Sequence, residues 1–165
     1  MKISFDNSQK LVLILIIFGV LARIIPHPPN FSPIAAIALF SGLNFSNKRI
    51  AFILPICILI LSDVLLGFSL INLFVYASFL TIVFIGTTIK SIKFGNIILS
   101  SIIFFIISNF GVWLIGYPKT IDGLIICYSM AIPFFGYSLV GDLFFGYLFK
   151  FSFHKISSIL AKTSN

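Results

Sequence analysis

Long apolar runs, separated by short clusters of Lys, Asn, Ser and Pro, recur from one end of the chain to the other. Apolar runs of this length predict a polytopic helical membrane protein, because a helix satisfies its own backbone polar groups in lipid. The pattern predicts an all-α fold of six transmembrane helices. The first covers about 9–25 and is ended by Pro26, Pro28 and Pro29. The second takes Ser32 as N-cap and Pro33 as its first helical residue, and covers about 32–45. The others cover about 49–66, 70–89, 96–115 and 122–151. At ~1.5 Å per residue the last is longer than a ~30 Å hydrocarbon core requires, so it is expected to tilt, kink near Pro133 or project into the cytoplasm. No repeat, low-complexity linker or second composition divides the chain, and residues 1–165 read as one integral membrane domain.

Composition narrows the function classes. Of 165 residues 59% are apolar, and 11 Lys and Arg stand against 4 acidic residues, for a net charge of +7. In a soluble protein that charge would suggest nucleic acid. Here the lysines lie in short loops between apolar runs, where they orient the chain in the bilayer and leave no basic face for a nucleic acid. With six crossings, Lys2, Lys10, Lys48, Arg49, Lys90, Lys93, Lys150, Lys155 and Lys162 fall on one side, and Arg23 and Lys119 on the other. The positive-inside rule then puts both termini in the cytoplasm. A second helix that failed to cross would bring Lys48 and Arg49 opposite Lys2 and Lys10 and destroy the asymmetry. The first helix read as a signal peptide is the weaker alternative, since a proline hinge and Arg23 follow it. Cys57 and Cys127 both sit in apolar runs without metal-ligand spacing and read as packing residues.

The polar residues that are awkward in a membrane gather at one level. The outer end of the first helix gives Arg23, and the hinge gives His27, Asn30 and Ser32. Ser62, Asp63 and Asn72 follow, then Ser108, Asn109, Trp113 and Tyr117, then Asp122, Cys127 and Tyr128. Polar groups at membrane depth are costly unless paired or facing a wet cavity, so the cluster predicts a ligand pocket. Each also has a plainer reading. Asp63 pairs with Arg23 to lock two helices, Ser108 and Asn109 are interhelical hydrogen-bond glue, and Trp113 and Tyr117 are interfacial anchors. Asp122 favours the start of a helix through the dipole. His27 has no second His near it and reads as a loop residue, so no metal site is expected.

Asp142, one turn from Ser138, lies deeper; it either pairs with Lys48 or Arg49 or serves as a coupling or proton-relay residue. Ala35, Ala38 and Gly42 form a small-residue stripe that serves either internal packing or the docking of a partner subunit. There is no phosphate-binding loop, nucleophile elbow, zinc motif or glutamate, so neither an enzyme nor a bound cofactor is expected.

The stretch from Pro26 through His27, Pro28, Pro29, Asn30, Phe31, Ser32 and Pro33 to Gly42 resembles a family of small bacterial transport-type membrane proteins of uncharacterised function. So do Leu54-Pro55, Ser62-Asp63 with Gly67, Ser108-Asn109-Phe110, Trp113, Cys127-Tyr128 and the run from Ala131 to Phe135. In size, helix number and polar outer end the chain is also similar to the substrate-binding S component of energy-coupling-factor (ECF) vitamin transporters. That resemblance implies capture of a small-molecule substrate from the outer side, and docking on a T subunit driven by ATPases through Ala35, Ala38 and Gly42. The clean alanine motif of those docking helices is missing from the first helix, which offers Gly19 and Ala22. The expected function is a substrate-binding subunit for uptake of a small planar or cationic micronutrient. Asp63 and Asp122 would supply charge, Asn30 and Asn109 hydrogen bonds, and Trp113 and Tyr128 a wall, while Arg23 paired with Asp63 would also line the pocket. A stand-alone carrier coupled through Asp142, or a structural assembly subunit, are the alternatives.

Overall fold

The computed structural model describes residues 5–163, with side chains over 10–153. Among the described residues it has six helices and no strand: α1 (Phe5–Ile24), α2 (Ile34–Asn44), α3 (Lys48–Leu66), α4 (Ile71–Thr88), α5 (Phe94–Gly116) and α6 (Ile121–Thr163). Lys2 lies outside the described residues, and Lys155 and Lys162 outside the described side chains. The end of α6 overruns the predicted boundary because the chain from Lys150 to Thr163 contains neither Gly nor Pro to stop a helix. Its 43 residues pass Pro133 without a break and span ~64 Å.

Among the described residues four helices are long and apolar enough to cross a membrane: α3, α4, α5 and the Ile121–Phe153 part of α6. The chain is a membrane-embedded, multi-pass protein, but the expected six spanning helices are not met. With 11 residues α2 is ~16 Å long, about half the hydrocarbon core. The side chains of α1 are described only from Lys10 onward.

The helix directions explain why a loop-charge argument nonetheless asked the second segment to cross. Gly19 of α1 lies against Ile58 of α3, and Arg23, one turn on, reaches Leu59 and Ser62. The two helices therefore run the same way, and the segment between them must return the chain along the bundle. It does so in two pieces, the extended proline hinge first and the short α2 second.

That short helix is the core of the bundle. Every residue of α2 except Leu43 is buried, packed chiefly against α4 and also against α3, α5 and α6. The approach to α4 is backbone to backbone. A Cβ on Gly42 would collide with the Val83 carbonyl oxygen and stand 2.9 Å from the Gly86 Cα, and one on Gly86 would stand 2.5 Å from the Leu39 carbonyl oxygen. The stripe of Ala35, Ala38 and Gly42 is thus used inside the chain. All three are buried, and the docking surface they were expected to offer a partner is already covered. Small residues let two helix backbones meet where lipid provides no hydrophobic push.

The outside carries the large apolar side chains, among them Leu13, Ile17, Ile53, Val64, Phe84 and Ile132. The inside carries serines. Ser41, Ser62, Ser78, Ser100, Ser101 and Ser108 are buried, and the hydroxyl of each lies within hydrogen-bond reach of a carbonyl three or four residues back.

Candidate functional site

Two carboxylates are buried in the bundle, and their surroundings differ. Asp63, near the end of α3, is saturated. Its Oδ1 lies 2.8 Å from Arg23 Nη2. Its Oδ2 accepts from Asn72 Nδ2 at 2.8 Å and from the Tyr76 hydroxyl at 2.6 Å. The other guanidinium nitrogen of Arg23 donates toward the Ser62 hydroxyl and, at 3.3 Å, the Leu59 carbonyl. Asp63 is therefore the centre of a clasp joining α1, α3 and α4, and the expected Arg23–Asp63 pairing is present. Sequence reasoning placed Asn72 at this level but did not assign it, or Tyr76, to the carboxylate. Tyr76 stands one turn after Asn72, a spacing that puts both on one helix face.

Asp142, in α6, is 4% exposed and has one hydrogen-bond partner among the described residues, the Ser101 hydroxyl at 2.6 Å. Neither Lys48 nor Arg49 forms the expected ion pair with it; Lys48 Nζ donates to the Gly42 carbonyl at 2.7 Å instead.

A cavity of about 240 Å³ connects these two regions. Arg23 and His27 stand at its rim, Asn30 and Ser32 come from the hinge, and Ser138 and Asp142 come from α6. An adjoining cavity of about 170 Å³ shares Asn30, Val75, Phe104 and Ser138 with the first. Its walls are Phe105, Phe134 and Phe135, with Ser108 and Asn109 as further polar groups.

The hinge is fixed over this space by its own geometry. Asn30 has φ +62°, the one positive φ at a non-glycine residue among those described. Asn tolerates this left-handed conformation where β-branched residues do not. Around it the Phe31 N–H donates to the Pro28 carbonyl at 3.1 Å and the Ser32 N–H to the Asn30 carbonyl at 3.0 Å. Phe31 then packs on Phe144 and Phe145, and the backbone of Phe31 passes within 3.2 Å of where a Cβ on Gly141 would stand. This contact brings the hinge down beside Asp142. Ser32 does not cap α2 as expected: the helix begins at Ile34 and its cap position falls on Pro33, whose side chain makes no cap hydrogen bond. Its hydroxyl lines the cavity. Asn30→Val is expected to cost about 1–2 kcal/mol of stability through the φ > 0 position, while Asn30→Gly is nearly neutral; thermal unfolding in detergent measures both.

Ser138 differs from the other buried serines. It is 3% exposed and lines both cavities, and among the described residues its hydroxyl has no hydrogen-bond partner. Its spacing of four from Asp142 puts both on one face of α6, together with Phe135 and Ala131. Sequence reasoning found that pair but read Asp142 as a partner of Lys48 or Arg49, or as a coupling residue, rather than as part of the pocket.

Of the residues expected to bind a substrate, Arg23, Asn30 and Asn109 line these cavities, and Asp63 sits behind Arg23. Trp113, Asp122 and Tyr128 are not among the lining residues. The Trp113 indole N–H donates to the Pro118 carbonyl at 3.1 Å and Lys119 lies over its ring, which closes the α5–α6 loop. The Tyr128 hydroxyl donates to the Ile106 carbonyl at 2.7 Å and its ring meets Phe105 edge-on, so it joins α6 to α5. Asp122 is exposed in the first turn of α6. No group of three or more His, Cys, Asp or Glu able to hold a metal occurs among the described residues.

The chain matches the model of a family of unknown function (DUF6580) over residues 4–162 and belongs to that family. No curated protein and no solved structure matches it.

Proposed function

We propose that this member of a family of unknown function is a non-catalytic, substrate-binding subunit for uptake of a small micronutrient, taken from the extracytoplasmic side. The observation that carries the reading is the Ser138–Asp142 pair beneath the hinge, where the Ser138 hydroxyl, without a hydrogen-bond partner among the described residues, opens onto a cavity of about 240 Å³ that Asp142 also lines. A mostly apolar cleft with a few convergent polar groups is the usual form of a small-molecule site. Buried polar groups in a membrane helix that merely glued helices together would have found partners, as those around Asp63 have.

The basic loops support an inner-membrane orientation with both termini in the cytoplasm, which turns the Arg23 rim of the cavity outward. Energy then comes from partners, and a T subunit with ATPases is the arrangement that the S-component resemblance suggests. Docking on such partners would use a surface other than Ala35, Ala38 and Gly42, which are covered by α4. A second reading, a stand-alone carrier coupled through protons, is favoured by the burial of Asp142 in the same cavity. Transport that stops on adding a protonophore, in cells lacking any ATPase partner, would select it.

Native mass spectrometry of the gently purified protein tests the reading. A stoichiometric small-molecule adduct is expected in the unaltered chain. Asp142→Asn should weaken it at least ~10-fold, about 1.4 kcal/mol, Ser138→Ala should weaken it several-fold, and Asp122→Asn should leave it unchanged. An adduct-free spectrum from folded protein, with and without added ligand candidates, would count against capture and favour an assembly role.

A further inference from the structure

On the reading just given, we propose that the ligand is a small organic monocation, with its protonated amine on Asp142 and Ser138 and a planar apolar body against the phenylalanine walls. The charges around the cavity point this way. Three titratable side chains line its first lobe: Arg23, His27 and Asp142. Arg23 is committed, since both of its terminal nitrogens already have partners in the clasp around Asp63. His27 sits in the exposed hinge with its Nδ1 2.8 Å from the Pro28 carbonyl, at the rim rather than the floor. Asp142 has no cation within ion-pairing distance among the described residues. The floor of the cavity therefore carries an acidic group that Ser101 orients and that no described cation pairs with.

The neighbouring groups fit the same ligand. The Ser138 hydroxyl, one turn from Asp142, offers a second acceptor for an ammonium, which has three N–H groups to place. Phe104 lines both lobes and packs on Phe79 at 5.2 Å, so a cation seated on Asp142 lies next to aromatic faces. An anionic ligand would meet Asp142 with no free cation to offset it. A neutral ligand would leave Asp142 protonated or, if ionised, without a counter-charge, so among the three only a cation gains from the ionised carboxylate.

Three probes of one shape and different charge separate these cases: phenethylamine, phenylpropanoate and phenylethanol. Each is titrated against the full chain in detergent, with Asp142→Asn as the reference for partition into the micelle. Phenethylamine is expected to bind at least ~10-fold more tightly to the unaltered chain than to Asp142→Asn, and to outcompete both other probes by a similar factor. Ser138→Ala is expected to weaken the amine several-fold and keeps the test alive should Asp142→Asn fail to fold. Tighter binding of the acid or the alcohol, or amine binding that Asp142→Asn leaves unchanged, overturns the monocation while a ligand pocket stands. Absence of binding by all three, together with an adduct of neutral or anionic mass in the native spectrum, also overturns it. No binding and no adduct in folded protein overturns both this inference and the reading beneath it.

Discussion

Gly42→Leu is expected to abolish recovery of folded, monodisperse protein, and Gly86→Leu to do the same. The two glycines face each other where α2 crosses α4, and the atoms that a new side chain would meet are backbone: the Val83 carbonyl and Gly86 Cα on one side, the Leu39 carbonyl on the other. A flexible side chain gives way to an intruding methyl group; a helix backbone does so only by moving the whole helix. Overpacking a filled core already costs about 1–3 kcal/mol, and here the displaced element is the buried centre of the bundle. Even Gly42→Ala should lower the thermal midpoint by several degrees, at about 2–4 °C per kcal/mol for a chain of this size. Gly136→Ala is the matched control, because nothing lies within 4 Å of the Cβ it would add. Gly42→Leu with an unchanged midpoint and elution profile would show that α2 and α4 are not packed as described.

The helices were legible in the sequence because their boundaries are chemical. Three prolines end α1, Gly67 ends α3, and clusters of Lys, Ser and Asn separate the rest. The span of α2 was not. Periodicity gives the length of an apolar run, but it does not distinguish a helix that crosses alone from one that completes a crossing begun by an extended hinge. The clue was the shortness of α2 beside the prolines before it. The role of the Ala35–Ala38–Gly42 stripe was equally open, since small residues serve an internal neighbour and an external partner alike. Only the position of Gly86 on α4 decides between them.

The candidate site was legible by level more than by residue. Reading polar groups at the outer helix ends brought Arg23, Asn30 and Asn109 to the cavities, but it also drew in Trp113, Asp122 and Tyr128, which share the level and face elsewhere. Depth along a helix does not fix azimuth. Asp142 was set apart because it falls in the inner half of the last helix, yet the hinge bends down to it through Phe31 and Gly141. The phenylalanine wall had no sequence signal: with 21 Phe in the chain, four that line a cavity look like the rest.

Asp63→Ala is expected to lower the thermal midpoint by about 10 °C, because removing one partner of a buried ion pair costs about 3–5 kcal/mol. The side chain of Asp63 is 3% exposed and that of Arg23 20%, so the orphaned guanidinium has only limited access to water. The loss reaches beyond Arg23, since the Asn72 amide and the Tyr76 hydroxyl donate to the same carboxylate. Replacing both charges with apolar residues of similar size, Arg23→Met with Asp63→Leu, should restore part of the stability by removing the unpaired cation. It should not restore all of it, because two polar donors remain without an acceptor. Adding Tyr76→Phe to the pair should recover a further portion, about 1 kcal/mol, by removing a part-buried hydroxyl left without its acceptor. Stepwise recovery of the midpoint across this series identifies Asp63 as the knot of α1, α3 and α4. A midpoint that Asp63→Ala leaves in place, with ligand binding lost, would instead assign the carboxylate to the substrate and move the centre of the site from the floor of the cavity to its rim.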